Sequence, residues 1–392
     1  MKTINNILKI WYDELTSVMK DKGILAFILF VPLFYPLLYA YIYTNEVVRD
    51  VPIAVVNDSR SELSREFVRN MDAAPDVTVY KHCADMKEAY RALEKREVFG
   101  IVRIPRSFAQ DISNGIQTHI GVYCEMSSML YYKAILLTAT NVSMEMNKNI
   151  KVKKYLPGGT DRQDEINAAP IAYDYIPYYN PQSGFACFLI PPVLMLIIQQ
   201  TLLLGIGMSM GRLRENYMGC VIPFRKYYKN PFHIVCGRGL VYFMIYMVMA
   251  IYMFTFINRW FTLPHIGSYT DFFALIVPYL FACIFFAMVL SSLIYRREDC
   301  IMVFVFLSVP LLFLSGVSWP SSSMPVFWKY ISWIFPSTFG MNGYIHVSSM
   351  GATLQDIGFE CQALWIQAAT YFILACFMYR KHIKQMLKKM GV

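Results

Sequence analysis

Charge is scarce in this chain. Asp, Glu, Lys and Arg make up 16% of 392 residues, against about a quarter in soluble globular domains. Whole stretches carry none, among them the 20 residues Ile24–Tyr43 and the 27 residues Phe185–Gly211. Several other features are also missing. No G-x-x-x-x-G-K-[ST] loop occurs, so nucleotide phosphates cannot be cradled in that way. His82-Cys83 and His119-x4-Cys124 have no recognised zinc spacing and read as core or surface residues, so no metal site is expected. No run of acids or bases lies inside an apolar stretch, which excludes an evident proton relay or ion filter. The nine cysteines form no disulfide framework. Only Cys83 and Cys124 share the polar segment, and the sequence leaves a bridge between them open.

What is present is a membrane pattern. As a helix, Phe185–Gly211 would rise about 40 Å, more than the roughly 30 Å hydrocarbon core of a bilayer. It stops at Arg212, and Arg214, Arg225, Lys226 and Lys229 follow, as for a span arriving at the cytoplasm. The polar segment 44–184 is close to neutral, with 17 Lys/Arg against 18 Asp/Glu. The segments assigned to the cytoplasm hold 17 against 6. Basic residues therefore gather at membrane edges rather than on one groove, which argues against a nucleic-acid partner.

Taken in order, the chain reads as an α-helical integral membrane protein with six transmembrane helices and an inserted extracytoplasmic α/β domain. Ile4, Ile7, Leu8, Trp11, Leu15 and Val18 share one helical face, giving an amphipathic interfacial helix over 1–22. The first span, 23–43, is too long for a signal h-region and no small-x-small cleavage site follows it. Pro32 and Pro36 are expected to kink it. Segment 44–184 holds the α/β domain and a connector, Leu156–Gly184. Its strands are expected at Val51–Val56, Val77–Lys81, Phe99–Ile104 and His119–Cys124. One helix opens at Ser59-x-x-Glu62 with capping-box spacing, and others cover Asp85–Arg96 and Met129–Val152. The membrane domain, 185–392, has spans at about 185–211, 239–258, 272–295, 300–316 and 361–379. Both termini then lie in the cytoplasm. Tyr330–Gln355 is also uncharged but broken by Pro336, Gly340, Asn342, Gly343 and Gly351, and crossing there would put the basic tail outside. Residues of about 319–344 therefore read as re-entrant or interfacial helices.

Two motifs have competing readings. Gly207-Met208-Ser209-Met210-Gly211 matches G-x-S-x-G, but a nucleophile elbow needs a strand–turn–helix and a nearby histidine. Within an apolar helix, Gly207 and Gly211 read better as a close-packing face. Gln199 and Gln200 are the most polar mid-span residues, open either to helix–helix hydrogen bonding or to lining a pathway.

Several stretches together resemble type-2 ABC exporter permeases, in the long form with a large extracytoplasmic domain. They are Val55-Val56-Asn57-Asp58-Ser59, Gly100–Phe108, Tyr179-Asn180-Pro181, Leu314–Pro320, Met324-Pro325 and Phe335–Thr338. Ser315, Gly316, Pro320 and Pro336 fall in what resembles that family's re-entrant region. In the loop after the second span Arg212, Arg214 and Glu215 match the family's charged run, while Asn216–Cys220 departs from its pattern. Gly237-Arg238 resembles the dipeptide that opens the third span. The resemblance implies a non-enzymatic permease subunit in a bacterial inner membrane. A second permease subunit, identical or related, would pair with it, and a separate ABC subunit would carry ATP and Mg. A helix in Tyr217–Asn230, with the interfacial N-terminal helix, would couple that ATPase to the spans, and Arg212, Arg214, Glu215, Tyr217, Arg225, Lys226, Gly237 and Arg238 are the residues implied in that coupling. A periplasmic membrane-fusion adaptor and an outer-membrane channel are further partners that the resemblance implies. The expected activity is outward movement of an amphiphilic or drug-like compound. The alternative is a non-transporting membrane scaffold or receptor whose α/β domain binds a partner.

Overall fold

The computed structural model describes residues 2–155, 178–180, 184–217, 219–223, 227–263 and 265–389. The chain divides into two compact units, Val47–Ile176 and, outside it, Met1–Glu46 with Pro177–Val392. The larger unit opens with α1 (Lys2–Lys20) and α2 (Lys22–Ile42). Asp21 separates them. Its backbone is extended, and its carboxylate accepts from the Gly23 and Ile24 N–H groups, capping α2. Just before Pro32, which has no N–H to donate, α2 widens into a π-turn over Ala26–Phe30, where the Val31 N–H reaches the Ala26 carbonyl.

The smaller unit is built on a four-stranded sheet in the order β2-β1-β3-β4. The strands are β1 (Val51–Asn57), β2 (Val77–Cys83), β3 (Gly100–Ile104) and β4 (Gly121–Cys124). β1 runs parallel to both its neighbours, and β4 is antiparallel to β3. The helices are α3 (Glu62–Asp72), α4 (Met86–Glu94), α5 (Phe108–Asn114) and α6 (Met129–Tyr155). Alternate β1 side chains serve two cores. Ile53 and Val55 join Phe67 of α3 and Ile135 of α6; Ala54 and Val56 join Ala89 and Ala92 of α4. A strand covered on both faces needs an unbroken apolar run, which Val51–Val56 supplies.

Two local expectations change here. The cap of α3 is Ser61, whose Oγ accepts from the Ser64 N–H at 3.2 Å, while Ser59 only hydrogen-bonds to the Ser61 hydroxyl. Glu62 is thus the first helical residue, too early to close a capping box. The box forms at α4 instead. Asp85 accepts from the Glu88 N–H at 2.8 Å, and the Glu88 carboxylate accepts from the Ala84 N–H at 3.0 Å. That N–H, with Lys81 3.2 Å away, holds the Glu88 carboxyl below the usual carboxylate range. Cys83 and Cys124 lie on opposite edge strands, three spacings or about 14 Å apart, too far for a disulfide. Both thiols are free. Most of the connector Leu156–Gly184 lies outside the described residues.

The larger unit resumes with α7 (Phe185–Asn216), α8 (Pro231–Trp260) and α9 (Tyr269–Leu293). α10 (Arg297–Leu314), α11 (Val326–Ser332), α12 (Pro336–Met350) and α13 (Gly358–Lys389) follow. Among the described residues five helices are long and apolar enough to cross a membrane: α2, α7, α8, α9 and the Gly358–Gln385 part of α13. α10 is not among them. Arg297, Glu298 and Asp299 occupy its first turn, and the uncharged remainder rises only about 22 Å. α7 is the hub, with 83% of its apolar window buried against 28% for α2 and for α13. α8 begins at Pro231 rather than Gly239, because Asn230 caps it by accepting from the Phe232 N–H and proline fits the first helical position. Gly237 and Arg238 are consequently inside that helix, not at its opening.

Phe67 is 1% exposed at the centre of one sheet face. Phe67→Ala is expected to cost the smaller unit about 3–5 kcal/mol. Hydrogen exchange on the full-length protein should then show faster exchange in β1 and β2, with the amides of α7 unchanged.

Candidate functional site

The face that α1 turns to its neighbouring helices overlaps its apolar face only in part. Ile10, Glu14 and Val18 are its buried residues, whereas Ile4 and Leu8 are exposed. A side chain at Gly237 would strike Ile10, so this glycine lets α1 lie directly on α8. One turn further along α1, Glu14 meets Arg238 of α8 at 3.1 Å, with side chains 4% and 1% exposed. Each charge also has hydrogen-bond partners beyond the other. Glu14 accepts from Ser209 Oγ of α7 at 2.8 Å and from Tyr242 Oη of α8 at 2.7 Å. Arg238 donates to Tyr379 Oη of α13 at 3.0 Å and to the Val221 carbonyl at 3.1 Å. Four helices and the loop after α7 therefore converge on one ion pair. Isolated, either charge would be costly in such a place; together and hydrogen-bonded they are tolerated.

A second charged cluster lies where α7, α10 and the α1–α2 junction meet. Asp21, while capping α2 with one carboxylate oxygen, faces Arg212 at 3.4 Å and Arg297 at 3.3 Å with the other. Arg212 also donates to the Ser17 carbonyl at 2.7 Å, and Arg297 pairs with Glu215 at 3.1 Å. Arg214 turns the other way. It donates to the Ser292 and Ile294 carbonyls at the end of α9, and its guanidinium lies 4.5 Å from the Tyr295 ring centre. The free C-terminal carbonyls of a helix attract such a cation.

The remaining candidates have structural surroundings of their own. Gln199 Oε1 accepts from the Ser337 N–H at 2.6 Å, satisfying a free donor in the first turn of α12, where Pro336 takes the first helical position. Gln200 is buried beside it with no hydrogen-bond partner among the described residues. Side chains at Gly207 and Gly211 would strike Cys300 and Arg297 respectively, so these glycines admit α10 against α7. Ser315 ends α10, and Gly316 follows with φ +89°, a left-handed position that suits glycine. The Ser315 carbonyl accepts from Asn342 of α12 at 3.1 Å. Pro320 precedes a single 3₁₀ turn, Ser321–Ser323.

The loop after α7 differs from expectation. Tyr217 closes α7, and no helix forms among the described residues 219–223 and 227–230. Gly219 at φ +80° and Pro223 break the pattern. Cys220, Val221 and Ile222 are instead buried. Arg225 and Lys226 lie outside the described residues. Ser209 donates to Glu14 and has no histidine among its contacts, so it is not placed as a nucleophile. Glu14 and Asp21 were missed by sequence reasoning. The only signal for Glu14 was its i, i+4 spacing with Ile10 and Val18, and Asp21 between Lys20 and Lys22 had none.

A bundle of long apolar helices, tied together by one buried ion pair and a partly buried charged cluster, defines a polytopic membrane protein. The chain belongs to the ABC-2 family of transporter proteins, whose match covers residues 22–377; it is a type-2 ABC permease. It is similar to the "Probable multidrug ABC transporter permease YbhR" of Escherichia coli, 21% identical over 82% of this chain and 84% of that one. It is also similar to the "Inner membrane transport permease YhhJ" of Escherichia coli, 22% identical over 98% of this chain and all of that one. A third relative, "ABC transporter G family member 23" of Dictyostelium discoideum, is 20% identical, and this chain spans about half its length. The family implies an ATP-binding partner subunit.

Arg238→Ala leaves Glu14 buried without its counter-charge and should destabilise the bundle by about 3–5 kcal/mol. Glu14→Gln with Arg238→Met should recover most of that loss. Thermal melts of Glu14→Gln, Arg238→Met and the double variant check this; additive losses would show that the pair does not act as a unit.

Proposed function

We propose that this chain is the membrane-spanning half of an ATP-driven exporter in a bacterial inner membrane. In this scheme it crosses the bilayer six times, α10 being the fifth crossing. Both termini are cytoplasmic, and 44–184 faces the far compartment, where an adaptor can reach it. The chain pairs with a second permease subunit, and each is served by a separate ATPase that carries ATP and Mg.

The observation that carries the reading is the seat of α1. Its Glu14 is joined to α7, α8 and α13 through Ser209, Tyr242 and Arg238, and Arg238 holds the loop after α7 at Val221. A displacement of α1 or of that loop must therefore be followed by the helices or leave a buried charge unpaired. Such an element moves together with its neighbouring helices or not at all, and a linkage of that kind is what an ATPase would bias to drive alternating access. Arg212, Arg214 and Glu215 take part in this scheme as braces between helix ends. The cargo is amphiphilic or drug-like, in keeping with the scarcity of charge inside the spans.

Affinity purification in mild detergent is expected to recover an ATPase subunit with Walker motifs. Its persistent absence would favour a scaffold or receptor instead. In a reconstituted complex, Arg212→Ala, Arg214→Ala and Glu215→Ala combined should lower substrate-stimulated ATP hydrolysis about tenfold, as expected for a coupling free energy within the usual 1–3 kcal/mol. Unchanged turnover and transport would remove these residues from coupling.

A further inference from the structure

Where α2 ends, it forms with the start of α7 and the end of α8 an open groove of about 1510 Å³. That exceeds the roughly 300–1,000 Å³ of common small-molecule sites, leaving room for an alkyl or aryl body as well as a head group. Its walls are aromatic: Phe34, Tyr41 and Tyr43 from one side, Phe256 and Trp260 from another, Tyr179 from a third. Glu46 is the only carboxylate in the lining, and among the described residues no Lys, Arg or His joins it.

This carboxylate is held in place from its backbone outward. The Glu46 carbonyl accepts from the Phe185 N–H at 2.9 Å, and Cys187 Sγ donates to its Oε1 at 3.0 Å. Asn180 clamps Gly184 through both its N–H and its carbonyl, each at 2.9 Å. A methyl group at Gly184 would overlap the Glu46 side chain, so the glycine makes the carboxylate's seat. A fixed negative charge among aromatic faces, with no competing internal cation, suits an organic ammonium.

We infer that this groove binds amphiphilic ammonium compounds, with the charged head at Glu46 and the apolar body along the aromatic walls of α2 and α8. The site names a substrate class for the permease and rests on that reading for the compound's being cargo.

The test uses the full-length chain in phosphatidylglycerol nanodiscs and a diazirine-bearing dodecyltrimethylammonium probe. Photolabelling should concentrate in peptides covering residues 30–46 and 256–263. An uncharged diazirine-bearing dodecanol should label them about tenfold less, and Glu46→Gln should reduce labelling by the ammonium probe about tenfold. Trp260→Ala, which leaves the carboxylate's seat untouched, should also weaken it and serves if Glu46→Gln does not fold. Equal labelling by charged and neutral probes, or labelling indifferent to both substitutions, overturns the proposal. Loss of labelling when phosphatidylethanolamine is added at unchanged phosphatidylglycerol content would give the groove to an ammonium lipid and overturn it as a site for cargo. No ATPase is needed here, so failure would leave the permease reading intact, and failure to recover an ATPase would leave the labelling result intact.

Discussion

The Glu14–Arg238 ion pair is the constraint around which the helical unit is arranged. Removing two charges from water costs several kcal/mol each, and their attraction offsets that only when geometry and surrounding hydrogen bonds are good. Here the surrounding donors and acceptors come from α7, α8, α13 and the loop after α7. The pair's value is thus less in net stability than in register. An apolar helix sliding on another by one turn loses little, because one leucine can replace the next. A helix carrying Glu14 cannot slide on α8 without stranding a charge, so α1 has one position rather than a family of them.

The same logic recurs at the helix ends. Asp21 caps α2 with one oxygen and gathers Arg212 and Arg297 with the other. Gln199, deep in α7, supplies the acceptor that the first turn of α12 lacks. In each case a side chain that satisfies a backbone group left over by helix geometry also ties that helix end to a neighbour. Helix termination and tertiary packing are then one event, and the positions of α2 and α12 along the bundle are set by polar contacts, not by apolar area. Without water as an alternative partner, leaving such a group unpaired is costly enough to decide the arrangement.

Long charge-free runs made α2, α7, α9 and α13 legible in the sequence, since a helix of that length and hydropathy has few alternatives. The unbroken apolar run of β1 was legible for the same reason. What escaped was everything decided by partners. The contacts that α1 makes with its neighbours escaped because Glu14 looks like a surface residue until Arg238 is opposite it. Ser59 was preferred to Ser61 as a cap because motif spacing ignores backbone conformation, and Ser61 is the residue whose extended backbone precedes the helix. The start of α8 was set too late because Arg238 was treated as the edge of an apolar run. A charge ends such a run by composition, but a buried, paired charge does not end the helix.

These errors share a direction that bears on mechanism. Arg212, Arg214, Glu215 and Arg238 stand out in sequence as a charged patch suited to meeting another protein. In the fold Arg212, Arg214 and Arg238 reach inward, to Asp21, the carbonyls ending α9 and Glu14, whereas Glu215 pairs with Arg297 and stays exposed. Under the permease proposal, a partner ATPase would then meet the outer face of α1 rather than these groups. Ile4, Leu8 and Tyr12 are exposed there, one turn or so apart, on a helix whose opposite side is fixed by charge. A force applied to that face acts on a rigid lever, because the only element it can move without moving the spans is one the Glu14–Arg238 pair forbids to move alone.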